Sequence, residues 1–444
     1  MINADQAGAN DLQQLFAAEF VQRRGEDALL AMLRDIREMS GGLTVREVQV
    51  DEPQRQVAVL QDSEQVWLKL DLQLAADRRI AGLSLAPWQP PLAATEQGMS
   101  EAQLIRRLHD KVDHLVQAKR FSGAVILARD GHAVYERAAG LARRDPQQPV
   151  TLDTPINLGS INKMFTAVAI AQLAAKGKLD YSDTVGDHLA DYPQAQVRDE
   201  VTIHHLLTHT SGLGAYWNEA YAQNKDKLNK VADFAALFSE DAPRFTPGSE
   251  FHYSNNGPVI LGLIIEQVSG LNYYEYMRRH VYQAAGMIHS DHYPKDHPQI
   301  AHGYIEDDAA WRNNLVQLGR IGSPAGGGYA SARDLLRFAT ALFDGDLLTP
   351  DHRGKMLSGK VAMGPPGVHY GYGVGVHQEQ GIVSIGHNGG APGINAEFSH
   401  FPDLGYTLIV LANLDHAASP LARQVRQWLI HSQVADEYRA HSVN

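Results

Sequence analysis

The chain has 444 residues, 44% apolar and 20% charged, with a formal net charge of −12 and no cysteine. That length allows two domains and a sizeable core. The acidic balance excludes a nucleic-acid partner, which needs a basic face, and the missing cysteines exclude disulfides, thiol catalysis and Cys-based zinc sites.

Met1 to Asn10 has neither a basic n-region nor an apolar h-region, so no signal peptide is expected there. No apolar run approaches the length of a transmembrane segment; Val168 to Ala175 and Thr407 to Leu411 are core-sized. Asp11 to Arg37 reads as one helix, with Leu15, Phe16, Phe20, Leu29, Leu30 and Leu33 apolar among charges. Gly41 and Gly42 stop it. Alternation at Val45, Val48 and Val50, at Val57 and Val59, at Val66 to Leu74, and at Ile80, Leu83 and Leu85 predicts four half-buried strands. Helix and sheet together predict a compact α+β domain over residues 1–95, with nothing catalytic in it.

Pro87, Pro90 and Pro91 mark a linker, and a second domain is expected over 96–444. Ser100 caps a helix running to about Lys119. Phe121 to Arg129 and His132 to Leu141 pair around Asp130-Gly131, a strong hairpin signal. Gly159 to Gly177 is helical and apolar nearly all round, the pattern of a helix buried in the middle of a large domain. Leu179 to Leu318 reads as helices and loops. Strand patterns return at Tyr370 to His377, Gly381 to Ile385, Ala396 to Phe401 and Tyr406 to Asn413, and a helix follows from Pro420 to about Tyr438. Strands at both ends with helices between predict one sheet assembled from distant parts of the chain.

Three short patterns can carry chemistry. Ser160-Ile161-Asn162-Lys163 is the only S-x-x-K. Residues i and i+3 share a helix face, so the Lys163 amine can sit beside the Ser160 hydroxyl, which needs a base to become a nucleophile. A lysine serves only if its surroundings lower its pKa. The local sequence equally allows Ser160 to be an ordinary N-cap and Lys163 a surface residue. Tyr253-Ser254-Asn255 follows the turn at Pro247-Gly248 and precedes an apolar helix from Pro258 to Val268, so it falls on a loop; Tyr216-Trp217-Asn218 has the same form. His387-Asn388-Gly389-Gly390 follows a strand, and its glycines admit close backbone approach; His369-Tyr370-Gly371 is its decoy.

Taken in order, Ser160, Tyr253 and His387 resemble the motif set of the class C β-lactamase-like serine hydrolases, within the penicillin-binding-protein and β-lactamase superfamily. Leu206 to Leu213, Phe245 to Gly248, Tyr253 to Gly257 and Gly326 to Ser331 also look like that family, and the resemblance runs from about Gln103 to the C-terminus. It implies a β-lactamase/transpeptidase-like α+β fold, an antiparallel sheet flanked by helices. It also implies that Ser160 is acylated, that Lys163 and Tyr253 share general-base duty, and that Asn255 orients the substrate. His387 and Gly389 would line the substrate site, and the N–H groups of Ser160 and Gly390 would bind the oxyanion. No cofactor or metal is implied. The implied partner is a small-molecule or peptide substrate, and the implied location is extracytoplasmic, with a cytoplasmic one left open. The pattern departs from the family at His387, where β-lactamases and DD-peptidases usually place a lysine that helps bind a substrate carboxylate. This favours an esterase or D-amino-acid peptidase over a β-lactamase or DD-carboxypeptidase.

Two other chemistries are weighed against this one. His204, His205 and His209 cluster, and His205 and His209 are i,i+4, but no H-E-x-x-H occurs. The nucleophile elbow of an α/β-hydrolase needs G-x-S-x-G, which no serine here satisfies. A non-enzymatic reading is a sensor or binding protein that kept the fold and lost turnover.

Overall fold

The structure is a computed structural model that describes residues 9–442 except 27–28, 31, 34–35, 37–41, 63–66, 89–91, 94–95, 308–309 and 346. The chain divides into two compact units, Met1–Ala94 and Thr95–Asn444.

In the first unit the expected single helix is broken. Helix α1 covers Ala9–Leu15 and α2 covers Ala18–Arg24. Between them Phe16 bridges Ile80, and the Ala17 N–H donates to the Ile80 carbonyl at 2.9 Å. Pairing with a strand satisfies the backbone there in place of a helical turn. Gly25, at φ 81°, ends α2, and parts of the expected helix beyond it lie outside the described residues. Strands β1 (Leu43–Glu52), β2 (Arg55–Asp62), β3 (Trp67–Leu74) and β4 (Ile80–Pro87) form an antiparallel meander in chain order. Val66, expected in the third strand, is outside the described residues. β1 is not half-buried as expected: Val45 and Val48 are 60% and 58% exposed. Two register shifts, at Val45/Glu47 and Val48/Val50, break its alternation. Leu12, Phe16, Phe20, Leu29 and Leu33 form a small core against Ile80 and Leu83.

The second unit opens with α3 (Glu101–Gln117). Ser100 and Gln103 form a reciprocal capping box at its start. β5 (Gly123–Arg129) and β6 (His132–Ala139) pair around Asp130 and Gly131, both at positive φ (49° and 77°), as the sequence predicts for a two-residue hairpin. The buried helix α4 covers Asn162–Ala175, α5 covers Asn256–Ser269, and α6 covers Ala332–Phe343. Then come β7 (Val361–Ala362), β8 (Val368–Tyr370), β9 (Gly375–Glu379), β10 (Ile382–Ala391), β11 (Ile394–Phe401) and β12 (Tyr406–Ala412). All eight strands join one antiparallel sheet in the order β7-β8-β9-β10-β11-β12-β5-β6. The first and last thirds of the unit thus meet in one layer.

β12 is buried along its whole length because helices cover both faces. Ile409 and Leu411 enter the large core with α4 and α6. Alternation turns Leu408 and Val410 the other way, and α7 (Ala418–Ile430) also packs on this strand.

Two expected elements are split. Tyr370 to His377 is the end of β8 and the start of β9, separated by a tight turn in which the Gly371 N–H donates to the Val374 carbonyl at 2.8 Å. The turn brings Gly373 so close to α4 that a Cβ there would meet the Lys163 carbonyl at 2.8 Å. The final helix stops at Ile430 and restarts as α8 (Gln433–Ser442). There Ser432 bridges Met99, and the Gln433 N–H donates to the Met99 carbonyl at 3.0 Å. At Ser432 a distant backbone segment out-competes the local pattern, and at Gly371 a tight turn does.

Candidate active site

Ser160 sits in a 3₁₀ turn, Gly159–Ile161, that feeds directly into α4. It is not an N-cap: Leu158 and Ile161 hold the cap positions of the turn and of α4. Asn157 Oδ1 accepts the Gly159 N–H at 2.9 Å and steadies the entry. Gly159 is at φ 49°, a region open to glycine and costly to other residues.

Lys163 is 2% exposed, so it is no surface residue. Its Nζ lies 3.0 Å from Ser160 Oγ, 2.8 Å from Asn255 Oδ1 and 2.7 Å from the Ala325 carbonyl. No carboxylate is among these partners. Burial therefore pushes the ammonium well below the ordinary lysine value. A neutral amine has two N–H groups and one lone pair. Asn255 Oδ1 and the Ala325 carbonyl can only accept, so they take the two N–H groups. The lone pair is then left for the Ser160 hydroxyl proton.

Tyr253 reaches the same spot from the loop before α5. Lys163 Nζ lies 4.8 Å from the Tyr253 ring centroid, and nearby Ser160 favours the ionised phenol slightly. The residue is 37% exposed, yet the protein crowds the hydroxyl, and burial pushes the phenol above its ordinary value. Tyr253 is therefore a protonated phenol at neutral pH. Asn255, next to it, has its Oδ1 committed to Lys163, which leaves Nδ2 as its remaining donor.

The H-N-G-G run continues the expected strand as part of β10. This strand lies against the nucleophile turn. A Cβ built on Gly159 would come within 2.6 Å of the Gly390 nitrogen, and one on Gly389 within 3.1 Å of the Ser160 nitrogen. Only glycines allow the two backbones to approach this closely. His387 is 8% exposed. Its Nδ1–H donates to the Asn388 carbonyl at 2.6 Å, and Tyr370 O–H donates to its Nε2 at 2.9 Å. Both ring nitrogens are used in the neutral form. Burial, helped by nearby Lys163, lowers its pKa to about 3.

The decoy patterns have structural duties. Tyr216 O–H pairs with Ser323 Oγ at 2.9 Å, and Asn218 caps a short helix through the Tyr221 N–H. His369-Tyr370-Gly371 supplies the Tyr370 that holds His387. The three clustered histidines point to separate partners: His204 to Tyr372, His205 to the Thr202 N–H and His209 to the Ser254 N–H. Among the described residues no three His, Cys, Asp or Glu side chains gather as a metal-ligand set. No described helix is long and apolar enough to cross a membrane.

The family model for β-lactamase matches residues 103–432. The chain belongs to the β-lactamase family. It is 29% identical over 330 residues to penicillin-binding protein 4* of Bacillus subtilis (strain 168), covering 69% of this chain and 71% of that one. Esterase EstB of Burkholderia gladioli is 37% identical over 194 residues, 40% of this chain and 49% of its own. The crystal structure of a penicillin-binding protein from Bacillus halodurans superposes with a TM-score of 0.66 at 32% identity, over 72% of this chain and 98% of that one. At this level the protein is a serine hydrolase of the β-lactamase fold, and the first unit lies outside the family match.

The motif reading misses three participants of this β-lactamase-family site. Ala325 contributes only a backbone carbonyl, which no side-chain pattern reveals. Asn162, inside the S-x-x-K, donates through Nδ2 to the Ser323 and Pro324 carbonyls at 3.2 and 3.3 Å and so anchors the loop that carries Ala325. His209, at φ 58°, accepts the Ser254 N–H at 3.2 Å and lies 4.3 Å, centroid to centroid, from the Tyr253 ring. The Leu206 to Leu213 stretch marked it as family-like without showing what it holds.

Proposed function

We propose that this protein hydrolyses ester or amide substrates through an acyl-enzyme on Ser160, with an activity of the esterase or D-amino-acid-peptidase kind. The observation that carries the reading is the buried, carboxylate-free Lys163 amine 3.0 Å from Ser160 Oγ. Lys163 takes the Ser160 proton as Oγ attacks the carbonyl carbon. Charge develops on the carbonyl oxygen and is met by the Ser160 and Gly390 N–H groups. Tyr253, held as a phenol, gives its proton to the leaving atom and regains one from Lys163. Lys163 then takes a proton from the water that attacks the acyl carbon, the bond to Oγ breaks, and that proton passes to Ser160 Oγ.

The neutral His387 favours this reading over a β-lactamase or DD-carboxypeptidase, because it brings no positive charge for a substrate carboxylate. The resemblance to a protein named as an esterase agrees with it. The intact Ser160, Lys163 and Tyr253 set disfavours a silent sensor. The test is to treat wild type and Ser160→Ala with a fluorophosphonate, map the adduct by mass spectrometry, and assay a p-nitrophenyl ester. Modification at Ser160 and at least about a thousandfold loss of kcat in the variant are expected. Labelling elsewhere, or a variant as active as wild type, sinks the proposal.

A further inference from the structure

Ser160 lines a cavity of about 390 Å³, together with Asn157, Gly159, Asn255 and Gly390. This is within the size range of small-molecule sites. Much of the wall is carbon-rich: Tyr216, Trp217, Tyr221, Phe234, Leu318 and Ile321, with Arg320 and Gln317 also lining it. Two of its polar side chains are engaged. Tyr216 O–H pairs with Ser323. The Lys295 ammonium, also on the wall, is held by Asp226 and by the carbonyls of Leu315 and Leu318. Trp217 is 60% exposed, an apolar surface that gains free energy when a ligand covers it.

Tyr253 and His387 do not line this cavity. They line another, with Tyr370, His377, Arg423 and Arg426. The chemistry then decides which half of the substrate goes where. The leaving atom must receive a proton from Tyr253, so the leaving group departs on the Tyr253 side. The acyl half extends the other way, past Asn255 and into the aromatic cavity.

From this we infer that the enzyme selects a bulky, aryl-bearing acyl group, so that its substrates are esters or amides of arylalkanoic acids. The inference rests on Ser160 being the nucleophile. An acetyl group would leave that wall uncovered.

The test uses the full chain and two p-nitrophenyl esters with the same leaving group: acetate and phenylacetate. Each kcat/KM is normalised to the alkaline hydrolysis of that ester. Phenylacetate is expected to exceed acetate by at least about tenfold. Trp217→Ala, at an exposed position, should lower the phenylacetate-to-acetate ratio at least about fivefold. Ile321→Trp, which fills the cavity, should lower it further. A wild-type ratio of one or less, in protein whose Ser160 is labelled by a fluorophosphonate, overturns the acyl assignment and leaves the nucleophile standing. Ester turnover without Ser160 labelling overturns the nucleophile, and the acyl assignment with it.

Discussion

Gly159→Ala separates the two jobs of the glycine before the nucleophile. The residue is at φ 49°, where a non-glycine side chain costs about 1–2 kcal/mol. The added methyl would also sit 2.6 Å from the Gly390 nitrogen and 3.0 Å from the Gly389 backbone, inside the ordinary contact range that begins at 3.4 Å. β10 and the nucleophile turn must then part by about 0.8 Å, a displacement of the order that costs ~100-fold in rate. Loss of one oxyanion donor costs ~100–1000-fold in kcat. The expected result is a kcat reduced by about two to three orders of magnitude for p-nitrophenyl acetate. Gly177→Ala is the control, since Gly177 follows the same helix at φ 64° with nothing within 4 Å of its Cβ direction. It should lose a similar ~1–2 kcal/mol in denaturant unfolding and keep its kcat. A Gly159→Ala enzyme within about threefold of wild type would refute the claim that Gly390 and Ser160 share an oxyanion hole.

Asn255→Asp places a carboxylate where Asn255 Oδ1 now lies 2.8 Å from Lys163 Nζ. An adjacent anion favours the ammonium, so the Lys163 pKa rises. Because activity needs the neutral amine, it is lost as pH falls through that pKa. The acidic limb of kcat should therefore move to higher pH, and an unmoved limb would show that another group is the base. Imidazole NMR should find His387 as the neutral Nδ1–H tautomer with no titration between about pH 5 and 8, since its pKa is lowered to about 3; a midpoint near 6.5 would restore it as a cationic binding group. A chain of residues 95–444 should fold and still label at Ser160, because the large core draws only on residues 124–411; an insoluble or unlabelled product would count against an independent second unit.

Much of the site is legible along the chain because its parts are local. The i,i+3 relation of Ser160 and Lys163 follows from helix geometry, and the all-round apolar pattern after Gly159 foretells burial. The Asp130-Gly131 turn is likewise a two-residue decision. Errors fall where distant backbone intervenes, at Phe16-Ala17 against Ile80 and at Ser432 against Met99, and where a local bulge or turn interrupts a period, in β1 and between β8 and β9. Periodicity describes a segment's preference and carries no information about which other segment will bond to its backbone.

By itself, the sequence determines which groups are present and in what order: a serine and lysine on one helical turn, a tyrosine before a second buried helix, and glycines that let a strand come close. Tertiary structure alone decides their chemical states. The Lys163 pKa is lowered because the residue is buried among partners, Asn255 and Ala325, 92 and 162 positions away, that add no negative charge. His387 is neutral because Tyr370 and the Asn388 carbonyl occupy both of its nitrogens inside the protein. A pKa is set by solvation and by neighbouring charges, and both arise only when remote parts of the chain are brought together.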